Sequence, residues 1–238
     1  MRWVCAVLAV LALAGCASVP RTAESGLAPV SPCEGLARAR LPDSTTVIAS
    51  AVSRPAGVPL ARPPGGPPGP PITLPAHCEV LGKLQERQGA NGQTYAIKFH
   101  MRLPAQWNGR FFFQGGGGSN GVIGDAAGNL LGAQPGNALS LGYAVVSQDS
   151  GHDNAVNNDP KLQGIGTFGW DAEARRNYGG ASIGPVVRTG KALIAAYYGR
   201  RPSFTYYVGG SKGGQEGFMA AQRFPEEFDA VLAGYPGF

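Results

Sequence analysis

The chain has 238 residues, 43% of them hydrophobic, which suffices for one medium domain with its own core plus a short leader. Its net charge of +5 is spread along the chain, with no run of Lys or Arg interleaved with aromatics, so composition argues against nucleic acid as a partner.

The chain opens with Met1-Arg2-Trp3 and an apolar stretch from Val4 to Ala14, running into Leu13-Ala14-Gly15-Cys16. This is too short to span a bilayer and reads as an export signal over residues 1–16. Small residues directly before Cys16 resemble the lipobox of bacterial lipoproteins, in which the cysteine is acylated and becomes the new N-terminus. Ordinary signal cleavage a few residues later is the alternative. Ala17 after the cysteine implies, by the same resemblance, a membrane attachment at the outer membrane; without the lipid, the product is periplasmic or secreted. Residues 17–31 are small and polar and read as a tether, leaving 32–238 as the domain.

Export removes Cys5 and leaves Cys33 and Cys78 as a pair beside Cys16; an oxidising compartment favours a disulfide between them. That bond would close a loop containing Arg54-Pro55 through Pro71, too rich in proline and glycine for helix or sheet.

From Gln93 the pattern becomes regular. Tyr95, Ile97, Phe99, Met101 and Leu103 alternate with polar or small residues, the period of a strand. Arg110 to Gln114 is a short apolar run suited to an interior strand, and Gly142 to Ser147 is another. Ile183, Val186, Val187, Leu193, Ile194 and Tyr197 recur at helical spacing, with Gly199 as the stop. Gly190 weakens that helix by about 1 kcal/mol relative to alanine and suits close packing on a sheet. A strand over Phe204–Val208, a helix ending at Arg223 before Pro225, and a strand over Ala230–Ala233 complete the series. Alternation of strand and helix predicts an α/β fold with a mostly parallel sheet covered by helices on both faces.

Between that strand and helix lies Gly209-Gly210-Ser211-Lys212-Gly213-Gly214. A strand that turns into a helix within a few residues strains the backbone and brings neighbouring chains too close for a Cβ, so it demands glycine on both sides of the corner. This is the signature of the nucleophile elbow of an α/β-hydrolase, with Ser211 as nucleophile. The bare G-x-S-x-G string is weak in a chain with 37 glycines, and a second match surrounds Ser119. That one follows the run Gly115 to Gly118 and leads into a glycine-broken stretch, so no helix starts there. The same stretch fits a dinucleotide-binding G-x-G-x-x-G, and fails for the same lack of a helix. Acyl transfer also needs donors for the developing oxyanion: the N–H groups of Lys212 and of a glycine in the run after Gln114 suit that role. The base is missing from this picture. His77, His100 and His152 all precede Ser211, whereas the fold orders its triad Ser, Asp/Glu, His. His152 is a candidate structural or pocket-lining residue rather than a base, and Glu216, Glu226, Glu227 and Asp229 read as solvated charges. A side-chain role for Lys212 in attracting a carboxylate-bearing substrate is a further expectation, weighed against solvent-facing charge.

Leu103 to Phe113 (LPAQWNGRFFF), the glycine run, Gly142 to Asn154 (GYAVVSQDSGHDN), Lys191 to Gly199 (KALIAAYYG), Gly213 to Gly217 (GGQEG) and Arg223 to Asp229 (RFPEEFD) together resemble the tannase and feruloyl esterase family, most of all its bacterial mono(2-hydroxyethyl) terephthalate hydrolase branch. The likeness runs from about Cys33 onward. It implies a serine esterase that hydrolyses small-molecule esters of aromatic acids through an acyl-enzyme, with Ser211 as nucleophile, Gly118 and Lys212 as backbone oxyanion donors, and Cys33 bonded to Cys78. No cofactor is implied for these residues; the family's calcium site lies in a lid that, like the catalytic Asp and His, follows the position matching Phe238. The chain is accordingly expected to be a truncated portion of the fold, inactive or nearly so alone. It departs from the family at Gly210, where a cysteine usually precedes the serine. A lipid-anchored binding protein without chemistry is the alternative function.

Overall fold

A computed structural model describes residues 26–60, 72–132 and 136–237. Cys16, the export signal and tether residues 17–25 lie outside them. In chain order the elements are β1 (Val47–Arg54), β2 (Val58–Pro59), β3 (Thr73–Leu74), β4 (His77–Gln88), β5 (Thr94–Pro104), β6 (Arg110–Gln114), β7 (Ala144–Gln148), α1 (Ala172–Arg176), α2 (Ile183–Tyr198), β8 (Phe204–Ser211), α3 (Lys212–Arg223) and β9 (Ala230–Pro236). Seven strands form one sheet in the order β1-β4-β5-β7-β6-β8-β9, while β2, inside the proline- and glycine-rich stretch expected to hold neither helix nor sheet, pairs with β3 in a separate two-residue ladder. Neighbours from β1 to β7 are antiparallel; β7, β6, β8 and β9 run parallel.

After β6 the chain crosses to β7 on one side, then returns to β8 on the other. Such a reversal of strand order opens a crevice at the carboxyl ends of the strands, the usual place for a ligand in an α/β sheet. The C-terminal ends of β6 and β8 are where the glycine run and Ser211 lie.

Burial explains why β6 is interior. Phe111, Phe112 and Phe113 are all buried, so the strand is covered on both faces as its continuous apolar run implies. Phe111 and Phe113 join Ile183, Val186, Leu193, Ile194 and Tyr197 of α2 in the main core. Phe112 faces a second cluster of Ala126, Ala127, Ala138, Leu139 and Val145, most of it from the irregular segment after β6. Both long helices therefore sit on one face; among the described residues the other face, where helices were also expected, is covered by loops and the short 3-10 turn Leu139–Leu141, because the segment after β6 is broken by glycine. That face stays open at Phe204 and Leu232.

Gly190 approaches the sheet so closely that a Cβ there would lie 2.4 Å from the Phe111 ring. Gly199 ends α2 in the left-handed conformation, its N–H donating to the Ala195 carbonyl. Cys33 and Cys78 are bonded, with Cα atoms 5.5 Å apart. Residues 26–31, expected to belong to a tether, make regular contacts with the domain. Leu27 exchanges both backbone hydrogen bonds with Trp107, Val30 N–H donates to the Tyr197 carbonyl, and Ser31 donates to Ala196, so residues 26–31 are docked on the domain. Strand β4 escaped the sequence pattern because its buried positions Cys78, Val80, Gly82 and Leu84 include a glycine and alternate with Glu79, Leu81 and Lys83. No helix among the described residues is long and apolar enough to cross a membrane.

Candidate active site

Ser211 ends β8 and immediately precedes α3, with φ 56° and ψ −120°. A non-glycine residue in that region costs on the order of 1–3 kcal/mol and persists only where its surroundings hold it. The surroundings are glycine. A Cβ at Gly209 would lie 2.6 Å from the Gly213 carbonyl oxygen, one at Gly213 would lie 2.7 Å from that of Gly116, and one at Gly115 would lie 2.9 Å from the Gly209 Cα. Strand β8, helix α3 and the turn after β6 thus touch backbone to backbone, which is why the glycines flank this serine.

The Ser211 hydroxyl makes no cap on α3, and the side chain is exposed. It lines a cleft of about 410 Å³ together with Gly115, Gly116, Gly117, Val122, Ile123, Leu131 and Tyr235. Serine and glycine run therefore share one space, as acyl transfer requires. Tyr235 is bulged out of β9, opposite the step between Gly210 and Ser211, with φ 31°. Its ring lies where a side chain at 210 would point, 2.5 Å from the Cβ position. The glycine at 210 leaves that room for the ring.

Of the glycine-run amides, Gly115 N–H donates to the Val208 carbonyl at 2.9 Å and Gly116 N–H to Glu216 at 3.0 Å. Those of Gly117 and Gly118 have no acceptor among the described residues, and Gly118 adopts φ 57°. Lys212 is the first residue of α3, where backbone N–H groups lack intrahelical partners and the helix dipole favours negative charge. Its side chain does something else. It is buried, donates from Nζ to the Tyr178 carbonyl at 2.7 Å and lies 3.7 Å from the centre of the Tyr178 ring. Burial lowers its pKa, with Glu216 opposing the shift. The Lys212 ammonium is thus held at Tyr178, contrary to the expected attraction of a carboxylate-bearing substrate, and neither Lys212 nor Gly118 is among the residues lining the Ser211 cleft, which reaches the glycine run as far as Gly117.

His152 packs in the interior rather than at the Ser211 cleft. It is fully buried, stacked on Phe168 at 4.0 Å, and is not among the residues lining the Ser211 cleft. Desolvation takes its pKa down to about 4, opposed by the Ser150 and Ser119 backbone beside the ring. His77 and His100 lie in β4 and β5, where His100 sits between Glu79 and the Gly124 carbonyl, each at 3.1 Å, and His77 contacts Arg102. None of the three bonds to Ser211.

Glu216 is not a solvated charge. It is 1% exposed and accepts from four donors: Gly116 N–H at 3.0 Å, Asn120 Nδ2 at 2.5 Å, the Ser150 hydroxyl at 2.7 Å and the Tyr207 hydroxyl at 2.9 Å. A signal for it was present, since Glu216 shares a helix face with the buried Gly213, Gly217 and Ala220. Glu226 is exposed as expected; Glu227 instead pairs with Lys191 and Arg188, and Asp229 accepts from the Thr205 N–H.

The sequence profile described as "Tannase and feruloyl esterase" matches residues 78–238. The chain is 47% identical over 165 residues to the mono(2-hydroxyethyl) terephthalate hydrolase of Piscinibacter sakaiensis, a match covering 69% of this chain and 27% of that protein. It is 35% identical over 150 residues to the tannase of Aspergillus oryzae, covering 62% of this chain and 24% of that one. The crystal structure of feruloyl esterase B from Aspergillus oryzae superposes with a TM-score of 0.67 at 26% identity, over 87% of this chain and 37% of that one. The chain thus spans about a quarter of the length of these curated relatives.

Proposed function

The chain belongs to the tannase and feruloyl esterase family, and from that premise we propose that it carries the nucleophile and oxyanion donors of a carboxylic ester hydrolase acting on small aromatic esters. The observation that carries this reading is the strained Ser211 facing the same cleft as the glycine run. In the reaction, Ser211 Oγ attacks the ester carbonyl and loses its proton to a base. The oxyanion accepts hydrogen bonds from the N–H groups of Lys212 and Gly118, the alcohol departs with a proton, and water then hydrolyses the acyl-enzyme. The apolar rim of Val122, Ile123, Leu131 and Tyr235 suits an aryl group better than a charged one. No described histidine reaches Ser211, so the reading assigns the base to none of them. The relatives' activities, as a mono(2-hydroxyethyl) terephthalate hydrolase, a tannase and a feruloyl esterase, support aromatic acids as the acyl portion.

The reading extends to location. The Cys33–Cys78 bond supports an oxidising compartment, and Cys16 is the proposed lipid attachment that tethers the domain to a membrane.

The test is acylation of the chain by an activated aromatic ester, followed by intact mass. Oxyanion donors and binding without a base leave about 10³–10⁴-fold acceleration over water, so a slow adduct at Ser211 is expected, lost in Ser211→Ala with the fold unchanged. Ester binding with no adduct, or equal labelling of wild type and Ser211→Ala, would sink the esterase reading and favour the binding protein.

A further inference from the structure

We infer that Glu216 is a positioning residue that sets which amides of the glycine run face the cleft; the inference deepens the esterase reading and rests on it for its catalytic consequence. Glu216 lies on α3, five positions after Ser211, yet its four donors come from three other segments: Gly116 and Asn120 from the turn after β6, Ser150 from the loop after β7, and Tyr207 from β8. A buried carboxylate is costly unless hydrogen-bonded, and its two oxygens offer about four acceptor sites. Here all four are filled, so the helix that carries the nucleophile and the turn that carries the oxyanion donors share one rigid joint.

The joint decides orientation. Gly116 N–H is turned toward Glu216 Oε2 and away from the cleft, and Asn120, held at Oε1, closes a turn in which its own N–H donates to the Gly117 carbonyl at 2.9 Å. Between those two anchors the N–H groups of Gly117 and Gly118 are left without a protein acceptor, the state an oxyanion donor needs before substrate arrives. Without an acceptor at 216 the Gly116 amide loses its partner and is free to swing toward the cleft, while Asn120 keeps only its contacts with Ser150 and Asn154.

Amide hydrogen exchange of the chain, resolved by residue, tests this without turnover. In the wild type, Gly116 is expected to exchange on the order of 100-fold more slowly than Gly117 and Gly118. Equal rates for the three would overturn the inference, and this measurement needs no variant to fold. In Glu216→Leu, Gly116 and Asn120 should exchange at least about 10-fold faster while Leu193 in α2 keeps its protection. In the same variant, Ser211 acylation at saturating ester should slow by about 10²-fold with the half-saturating concentration little changed, since oxyanion contacts form only in the transition state. Glu216→Gln should restore both readouts in large part: its amide oxygen can keep Gly116, and its NH2 can meet Asn120 Oδ1, which is unpartnered in the wild type, after Asn120 turns over. Unchanged exchange at Gly116 in Glu216→Leu, or released exchange with undiminished acylation, would overturn the inference. Failure of the esterase reading would instead show as Ser211-independent labelling, with the exchange pattern intact.

Discussion

Two residues near the site carry charge states set by burial, with opposite consequences for stability. Asp149 follows β7 and is 1% exposed; desolvation lifts its pKa to about 7, against the opposing hydrogen bonds from the Gly151 and Lys98 amides. The folded protein therefore keeps this proton up to about pH 7, whereas an unfolded aspartate releases it near pH 4. Stability from this group is present below about pH 4 and is lost as pH rises from 4 to 7. His152 works the other way: neutral in the fold down to about pH 4 and protonated below about 6.5 when unfolded, it contributes stability above 6.5 that is lost as pH falls toward 4. Asp149→Asn keeps an acceptor for both amides and removes only the first effect. Urea denaturation at pH 4 and pH 8 should show the variant gaining on wild type by on the order of 4 kcal/mol at the higher pH. A difference that does not change with pH would mean that Asp149 is charged in the fold throughout.

At the scale of elements, the contact of α2 with β6 is decided at Gly190. Alanine there should improve helix propensity by about 1 kcal/mol. However, its methyl would meet the fully buried Phe111 ring at 2.4 Å, and a ring enclosed on every side has nowhere to go. Overpacking of this kind costs about 1–3 kcal/mol, so Gly190→Ala should lower the urea midpoint rather than raise it; a higher midpoint would show that α2 can lift from the sheet without penalty. The elbow differs in kind. Gly209, Gly213 and Gly115 oppose backbone atoms that cannot rotate away, whereas the atoms nearest a Cβ at Gly210 belong to the Tyr235 ring, which can.

For the molecule as a whole, the Cys33–Cys78 bond ties the N-terminal segment to β4 across a sequence separation of 45. On the chain-entropy account a loop of that length contributes about 4 kcal/mol by restricting the unfolded state. Reduction, or Cys33→Ser with Cys78→Ser, should lower stability by about that amount in denaturant titrations. A loss below about 1 kcal/mol would mean that the docked segment around Leu27 and Leu36 holds equally well unaided.

The elbow was legible in the sequence because its cause is local: a β-branched and aromatic strand, glycines on both sides of a serine, and a helix former beyond leave few backbone solutions. Strand β6, helix α2 with its Gly199 stop, and the pairing of Cys33 with Cys78 were readable for similar reasons of period, cap and compartment. Strand β4, the docking of residues 26–31, the stacked burial of His152 and the inward turn of the Lys212 ammonium were not. Each depends on what a distant segment presents, and one-dimensional patterns carry no record of that. Glu216 shows the limit most plainly: a glutamate on a glycine and alanine face hinted at burial, but only the folded arrangement of Gly116, Asn120, Ser150 and Tyr207 supplied the donors that make a buried carboxylate tolerable.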